Sequence, residues 1–198
     1  MEDQSQPNRR SVRLQWLDYR SAGFYFVTIC THDRRYAFGE VVNGTMRLNA
    51  VGAIAQAQWV ILSQRFAGVL VDRSVVMPNH VHGIIVIYKA TNITQVPTRF
   101  QPSRQKMIEE HNPALSVPYQ PPSLGQIVRT YKAATCRLIR KAGAQDFSWQ
   151  GNYFDIAIRS DEQLAQIRQY VLDNPTTWER DKLYTSNPKN TSDTDRHQ

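Results

Sequence analysis

The sequence predicts an α+β domain: an antiparallel sheet with helices on one face and an added helical layer at the C-terminal end. Three observations predict it. Strand-length apolar blocks stand at 23–31, 69–77, 81–88 and 152–160. Helical periodicity fills the stretches that follow the first and third blocks. Asn and Ser residues suited to capping stand where those stretches begin.

The elements follow in order. "GFYFVTICT" (23–31) is aromatic and β-branched with apolar residues on both faces, the pattern of a central strand. "VVNGTMRL" (41–48) places Asn-Gly between short strand-like runs and predicts a small hairpin. Asn49 caps a helix expected to reach about Phe66, with Ile54, Ala57 and Ile61 on one face. "VLVDRSVVM" (69–77) is the next strand, and Met77-Pro78-Asn79 turns the chain into "VHGIIVIY" (81–88). Residues 89–122, rich in Pro, Gln, Thr, Ser and Asn, read as a flexible insertion. Ser123 caps a helix to about Ala142 with the stripe Leu124, Ile127, Val128, Tyr131, Thr135, Leu138 and Ile139. "NYFDIAIRS" (152–160) alternates as a strand. Ser160 with Gln163 reads as a capping box for a helix to about Asp173, ended by Pro175, which disfavours helical geometry at Asn174. "PTTWERDKL" reads as a second short helix. The order β-α-β-β-α-β plus a C-terminal helix is ferredoxin-like. The expected domain spans 12–184, with disordered tails at 1–11 and 185–198.

The chain has 198 residues, 41% of them hydrophobic, enough for one core. No apolar run is long enough to span a bilayer, and "MEDQSQPNRR" lacks the apolar stretch of a signal peptide, so a cytoplasmic protein is expected. Cys30 and Cys136 have no metal or redox spacing and read as reduced, buried thiols. A net charge of +7 favours an anionic partner, nucleic acid above others. Arg9, Arg10, Arg13 and Arg20 crowd the N-terminal arm. Arg129, Lys132, Arg137, Arg140 and Lys141 fall between Ser123 and Gly143 with no acid among them.

The chemistry centres on "VVMPNHVHGIIVI" (75–87). On a strand, His80 and His82 point to one face and Val81, Gly83, Ile85 and Ile87 to the other. If the latter pack on the helices, both imidazoles project from the opposite, potentially open face. Two such nitrogens make a metal clip, or else a hydrogen-bonded or solvent-exposed pair at a strand end. "IRQYVLDNP" (167–175) offers the missing groups. Tyr170 and Asn174 are four apart on a helix, on the rim of the stripe Leu164, Ile167 and Val171. Tyr170 is read either as a core-edge tyrosine or as a hydroxyl facing a cleft. Asn174, before Pro175, is favoured as an N-cap for the last helix.

These segments resemble the REP-associated tyrosine transposases, relatives of the single-tyrosine transposases of bacterial insertion sequences within the HUH endonucleases. The motif is His80-Val81-His82, and "YFVTICT", "WQGNYFDIAIRS" (149–160) and "IRQYVLDNP" resemble further family segments. The resemblance runs from about Val12 to Tyr184, leaving out 89–122. It implies that His80, His82 and Asn174 bind Mg²⁺ or Mn²⁺. The single-tyrosine relatives often carry glutamine where this chain has Asn174. It implies that Tyr170 attacks DNA to give a 5′-phosphotyrosine and a free 3′-hydroxyl, with hairpin-forming single-stranded DNA as substrate.

The metal or a basic neighbour such as Lys132 would favour the phenolate. Arg129, Lys132, Arg137, Arg140 and Arg13 are the expected DNA-backbone contacts, with Arg159 read either as a phosphate contact or as a cap. Tyr131, the competing nucleophile, falls on the apolar stripe and reads as core. Relatives act as dimers or monomers, and both states stay open. The competing readings are a hairpin DNA- or RNA-binding protein that does not cut and, last, a structural zinc site.

Overall fold

The computed structural model describes residues 22–88 and 121–184. The expected tails, the N-terminal arm with Arg13, and all but the last two residues of the 89–122 insertion lie outside them. The elements are β1 (Gly23–Cys30), β2 (Gly39–Val42), β3 (Thr45–Leu48), α1 (Ala50–Val60), α2 (Leu62–Arg65), β4 (Val69–Met77), β5 (His80–Ile87), α3 (Leu124–Lys141), β6 (Phe154–Ile158) and α4 (Asp161–Asp173). A 3-10 turn at Trp178–Arg180 follows α4, where the sequence predicted a helix over "PTTWERDKL".

The main sheet has the order β4-β5-β1-β6, and every pair is antiparallel. With the hairpin β2–β3 set apart, this is the ferredoxin-like arrangement expected. β1 is an inner strand. The hairpin turns through Asn43 (φ 52°) and Gly44 (φ 70°), both left-handed as a two-residue type I′ turn requires. Asn49 caps α1 by accepting from the Gly52 N–H. The helix expected through Phe66 breaks at Ile61 into α1 and the single turn of α2.

Strand alternation sorts the core into two clusters, one per face. Tyr25, Val27, Ile29, Val81, Ile85 and Ile87 pack with Trp59 of α1 and with Leu124, Ile127, Val128 and Tyr131 of α3. Gly83 points to this side, and a methyl group on it would collide with the Trp59 ring, so only glycine lets α1 lie this close. On the other face Phe24, Phe26, Ile84 and Val86 pack with Leu164, Val171 and Ile167 of α4. The face expected to be open is therefore covered by α4, because that helix carries an apolar stripe of its own. All eight residues of β5 are buried as a result.

Two local details position α4. Ser160 accepts from the Gln163 N–H, but the Gln163 side chain reaches back to the Arg159 N–H and not to that of Ser160, so the reciprocal box is displaced by one residue. The full capping box lies instead at Ser123 and Gln126, at the start of α3. A register shift in β4 between Val71 and Ser74 accompanies Asp72, which pairs with Arg168 of α4 at 2.6 Å. That pair is largely shielded and ties the tyrosine helix to the sheet edge. Among the described residues no helix is long and apolar enough to cross a membrane.

Candidate active site

His80 and His82 stand at the start of β5, opposite Cys30 and Thr28 of β1. Their ring centroids are 4.2 Å apart. Both are buried, at 0% and 3% exposure. Asn79 Nδ2 donates to the Leu183 carbonyl, which turns its Oδ1 toward His80 Nδ1 at 2.8 Å. An amide oxygen only accepts, so Nδ1 carries the proton and Nε2 presents a lone pair. That Nε2 is buried with no hydrogen-bond partner among the described residues. A buried acceptor left in this state is the arrangement of an imidazole oriented to ligate a cation. Burial, then His82, then Arg34 push the His80 pKa well below the ordinary imidazole value. Burial pulls His82 down to about 4, against an opposing pull from Asp181. Both rings are thus neutral at pH 7, the form that binds metal.

Tyr170 comes to this pair from α4. Its hydroxyl lies 3.2 Å from His82 Nε2 and donates to Asp181 Oδ2 at 3.3 Å. The phenol has one proton, so with Asp181 accepting it, His82 donates from Nε2 and its Nδ1 accepts from Thr28 Oγ1 at 2.9 Å; ligating a metal through Nε2 takes the other tautomer, in which Nδ1–H donates to the Thr28 oxygen. The tyrosine ring packs edge-on against Phe26, with centroids 6.0 Å apart. The residue is 44% exposed, a core-edge ring with its hydroxyl in a cleft. Burial, then the Asp181 charge, push the phenol pKa up to about 12.

Asn174 was favoured as a cap by sequence, and the structure assigns it otherwise. Its backbone stays helical (φ −54°, ψ −42°) despite Pro175, and Thr177 holds the N-cap position of the 3-10 turn. The amide is buried, Nδ2 donates to Asp181 Oδ2 at 3.0 Å, and Oδ1 has no partner among the described residues. The carboxylate joining Tyr170 to Asn174 belongs to Asp181, which sequence reasoning missed. Ligating atoms of His80, His82 and Asp181 all lie within 4.8 Å of one another, close enough that the three could hold a metal ion. No spacing signal marks Asp181, because the 3-10 turn that carries it is set by Trp178. That ring is buried and stacks within 5.8 Å of His80.

The remaining expected residues are dispersed. Lys132 Nζ donates to the carbonyls of Gln150, Gly151 and Asn152 at 2.6–3.2 Å, so it braces the loop before β6 and does not reach the phenol. Arg140 Nε donates to the Phe147 carbonyl. Arg129 and Arg137 are exposed on α3, across the sheet from the imidazoles, and Arg159 is exposed just before α4. Tyr131 is buried and donates to the Ala55 carbonyl; burial raises its pKa and removes it as a nucleophile. Cys30 is buried and Cys136 half-buried; burial raises the Cys30 thiol. A cleft of about 760 Å³ opens at His82 and Tyr170, lined also by Phe26, Phe154, Ile156 and Asp181, and the cations on it are Arg34, Arg180 and Lys182. Arg34 sits in left-handed backbone (φ 53°), a local strain retained at the cleft.

A protein of Haemophilus influenzae, described only as uncharacterised, is 36% identical over 180 residues, 89% of this chain and 93% of its own. The chain belongs to that protein's family. No protein-family model matches the sequence. Two solved structures are similar to it at 15% identity. One is a REP-associated tyrosine transposase bound to a REP hairpin, with a TM-score of 0.48 over 81% of this chain and 71% of that one. The other is a putative transposase of Deinococcus radiodurans, with a TM-score of 0.42 over 85% and 97%.

Proposed function

We propose that this protein is a single-tyrosine DNA transposase that nicks and rejoins one strand at a hairpin-forming element. The observation that carries the reading is the 3.2 Å approach of the Tyr170 hydroxyl to His82 within one chain. A nucleophile, an imidazole pair with an orphaned ligand atom, and a carboxylate share one cleft, as the HUH resemblance implies. Tyr170 attacks phosphorus in line. The phenol O–P bond forms, the P–O3′ bond breaks, and the products are a 5′-phosphotyrosine and a free 3′-hydroxyl. Asp181, already accepting from the phenol, receives its proton, and the leaving 3′-oxygen takes a proton from water. Strand joining runs the same step backwards with another 3′-hydroxyl.

His80, His82 and Asp181, with the Asn174 amide beside them, would hold a Mg²⁺ or Mn²⁺ ion. Two imidazole nitrogens suit Mn²⁺ at least as well as Mg²⁺. When bound, the ion supplies charge that polarises the phosphate and favours the phenolate. The chain's own contribution is positioning. Thr28 and Asn79 fix the imidazole orientations, and the packing of α4 on Phe26 fixes the phenol. Because the phenol reaches His82 of its own chain, a site completed in cis is the arrangement this reading favours.

The test is incubation of labelled single-stranded hairpin DNA with the full chain and Mn²⁺. A denaturation-resistant adduct is expected with wild type and not with Tyr170→Phe. An adduct that persists in the Phe variant overturns the nucleophile, and undiminished cutting in chelator overturns the metal.

A further inference from the structure

The wall of the cleft beside the imidazoles is built by β6, the edge strand of the sheet among the described residues. Two of its side chains are left uncovered: Phe154 is 55% exposed and Ile156 37%. The register puts Phe154 opposite Thr28, and Thr28 opposite His82, so the three form one row on one face. Two strand spacings, about 10 Å, separate Phe154 from His82. Ile156 stands in the neighbouring row, opposite Phe26.

A single exposed apolar side chain is ordinary. Here an aromatic ring and an isoleucine lie together in a cleft whose other residues include Arg34, Arg180 and Lys182 against the one carboxylate of Asp181. An apolar wall with cations around it matches the two halves of an unpaired nucleotide, a flat π-face and an anionic phosphate. A duplex offers no free base face, and a lipid surface would need a convex patch, not a cleft. We infer that Phe154, flanked by Ile156, is the stacking platform for the unpaired base next to the scissile phosphate. This rests on the DNA-cutting reading, which puts that phosphate beside His82 and Tyr170. The Lys132 ammonium, gripping three successive carbonyls of the loop that leads into β6, holds the platform at its place along the cleft.

The experiment titrates the full chain with a single-stranded oligonucleotide of about 12 nucleotides, alternating thymidine and 2-aminopurine, and follows fluorescence quenching. Phe154→Ala is expected to bind about tenfold more weakly and quench less, and Phe154→Trp to bind as wild type does. A matching oligonucleotide with abasic sites at every position, its affinity read by competition against the fluorescent strand, should bind wild type and Phe154→Ala equally. Equal affinity of Phe154→Ala and wild type, or an equal abasic loss in both, overturns the platform. Adduct formation with Mn²⁺ is scored separately on hairpin DNA. Phe154-dependent binding without any adduct removes the cutting reading and leaves only a platform for an unpaired base, with no scissile phosphate beside it; normal adduct with Phe154-independent binding overturns the platform and keeps the cutting reading.

Discussion

Acid should weaken this fold by an amount set by the imidazole pair. His82 is pulled by burial from 6.5 to about 4. Below pH 6.5 the unfolded chain takes up a proton that the folded ring refuses until about pH 4. The unfolded state therefore binds more protons across that window, and stability falls as pH falls through it. The gap is worth about 3 kcal/mol in full, and about 2 kcal/mol of it is already lost at pH 5. His80, shifted in the same direction and also fully buried, adds to the loss. Urea unfolding in chelator at pH 7.5, 6, 5 and 4.5 measures it. His82→Gln removes one titrating ring, so its stability should fall less steeply than that of wild type between pH 6.5 and 4.5. Parallel curves for the two proteins would refute the claim that His82 is held neutral by burial.

Further expectations follow from the same geometry. Asp181→Asn should lower the Tyr170 phenol from about 12 without bringing it to the free value, because burial is the larger cause; the difference titration at 295 nm against Tyr170→Phe reads it. Leu164→Ala, at a buried residue of α4 that packs on the sheet, should cost about 2–4 kcal/mol in chemical denaturation and slow adduct formation more than it weakens hairpin binding. Gly83→Ala should cost about 1–3 kcal/mol, since the added methyl meets the Trp59 ring; a melting temperature equal to wild type would contradict the packing of α1.

Much of this was legible in the sequence, and the failures have physical causes. The alternation of β1 and β5, the Asn-Gly turn and the Ser123 and Ser160 caps are local signals, and local signals located the elements. The face of His80 and His82 followed from strand period alone. What alternation leaves out is what lies above a face: the stripe Leu164, Ile167 and Val171 was visible, yet its partner surface was not, so the imidazole side was expected to be open and is covered by α4. Asn174 shows tertiary contact overriding local preference. A residue before proline is biased away from the helix and toward capping, but the Asp181 carboxylate holds its amide inside. Lys132 lies off the apolar stripe, as a solvent-facing or DNA-binding lysine would, and only the fold reveals the three carbonyls at its tip. Asp181 and Thr28 carry no motif spacing at all; their roles come from strand pairing and from the seating of Trp178 against His80.

The most direct test of the central claim maps the covalent bond. Full-length protein is incubated with hairpin DNA and Mn²⁺, digested with nuclease and trypsin, and the nucleotide-bearing peptide is sequenced by mass spectrometry. The account predicts a phosphonucleotide on peptide 169–180, whose one tyrosine is Tyr170. A modification on a peptide carrying Tyr131, Tyr153 or Tyr184 would contradict it.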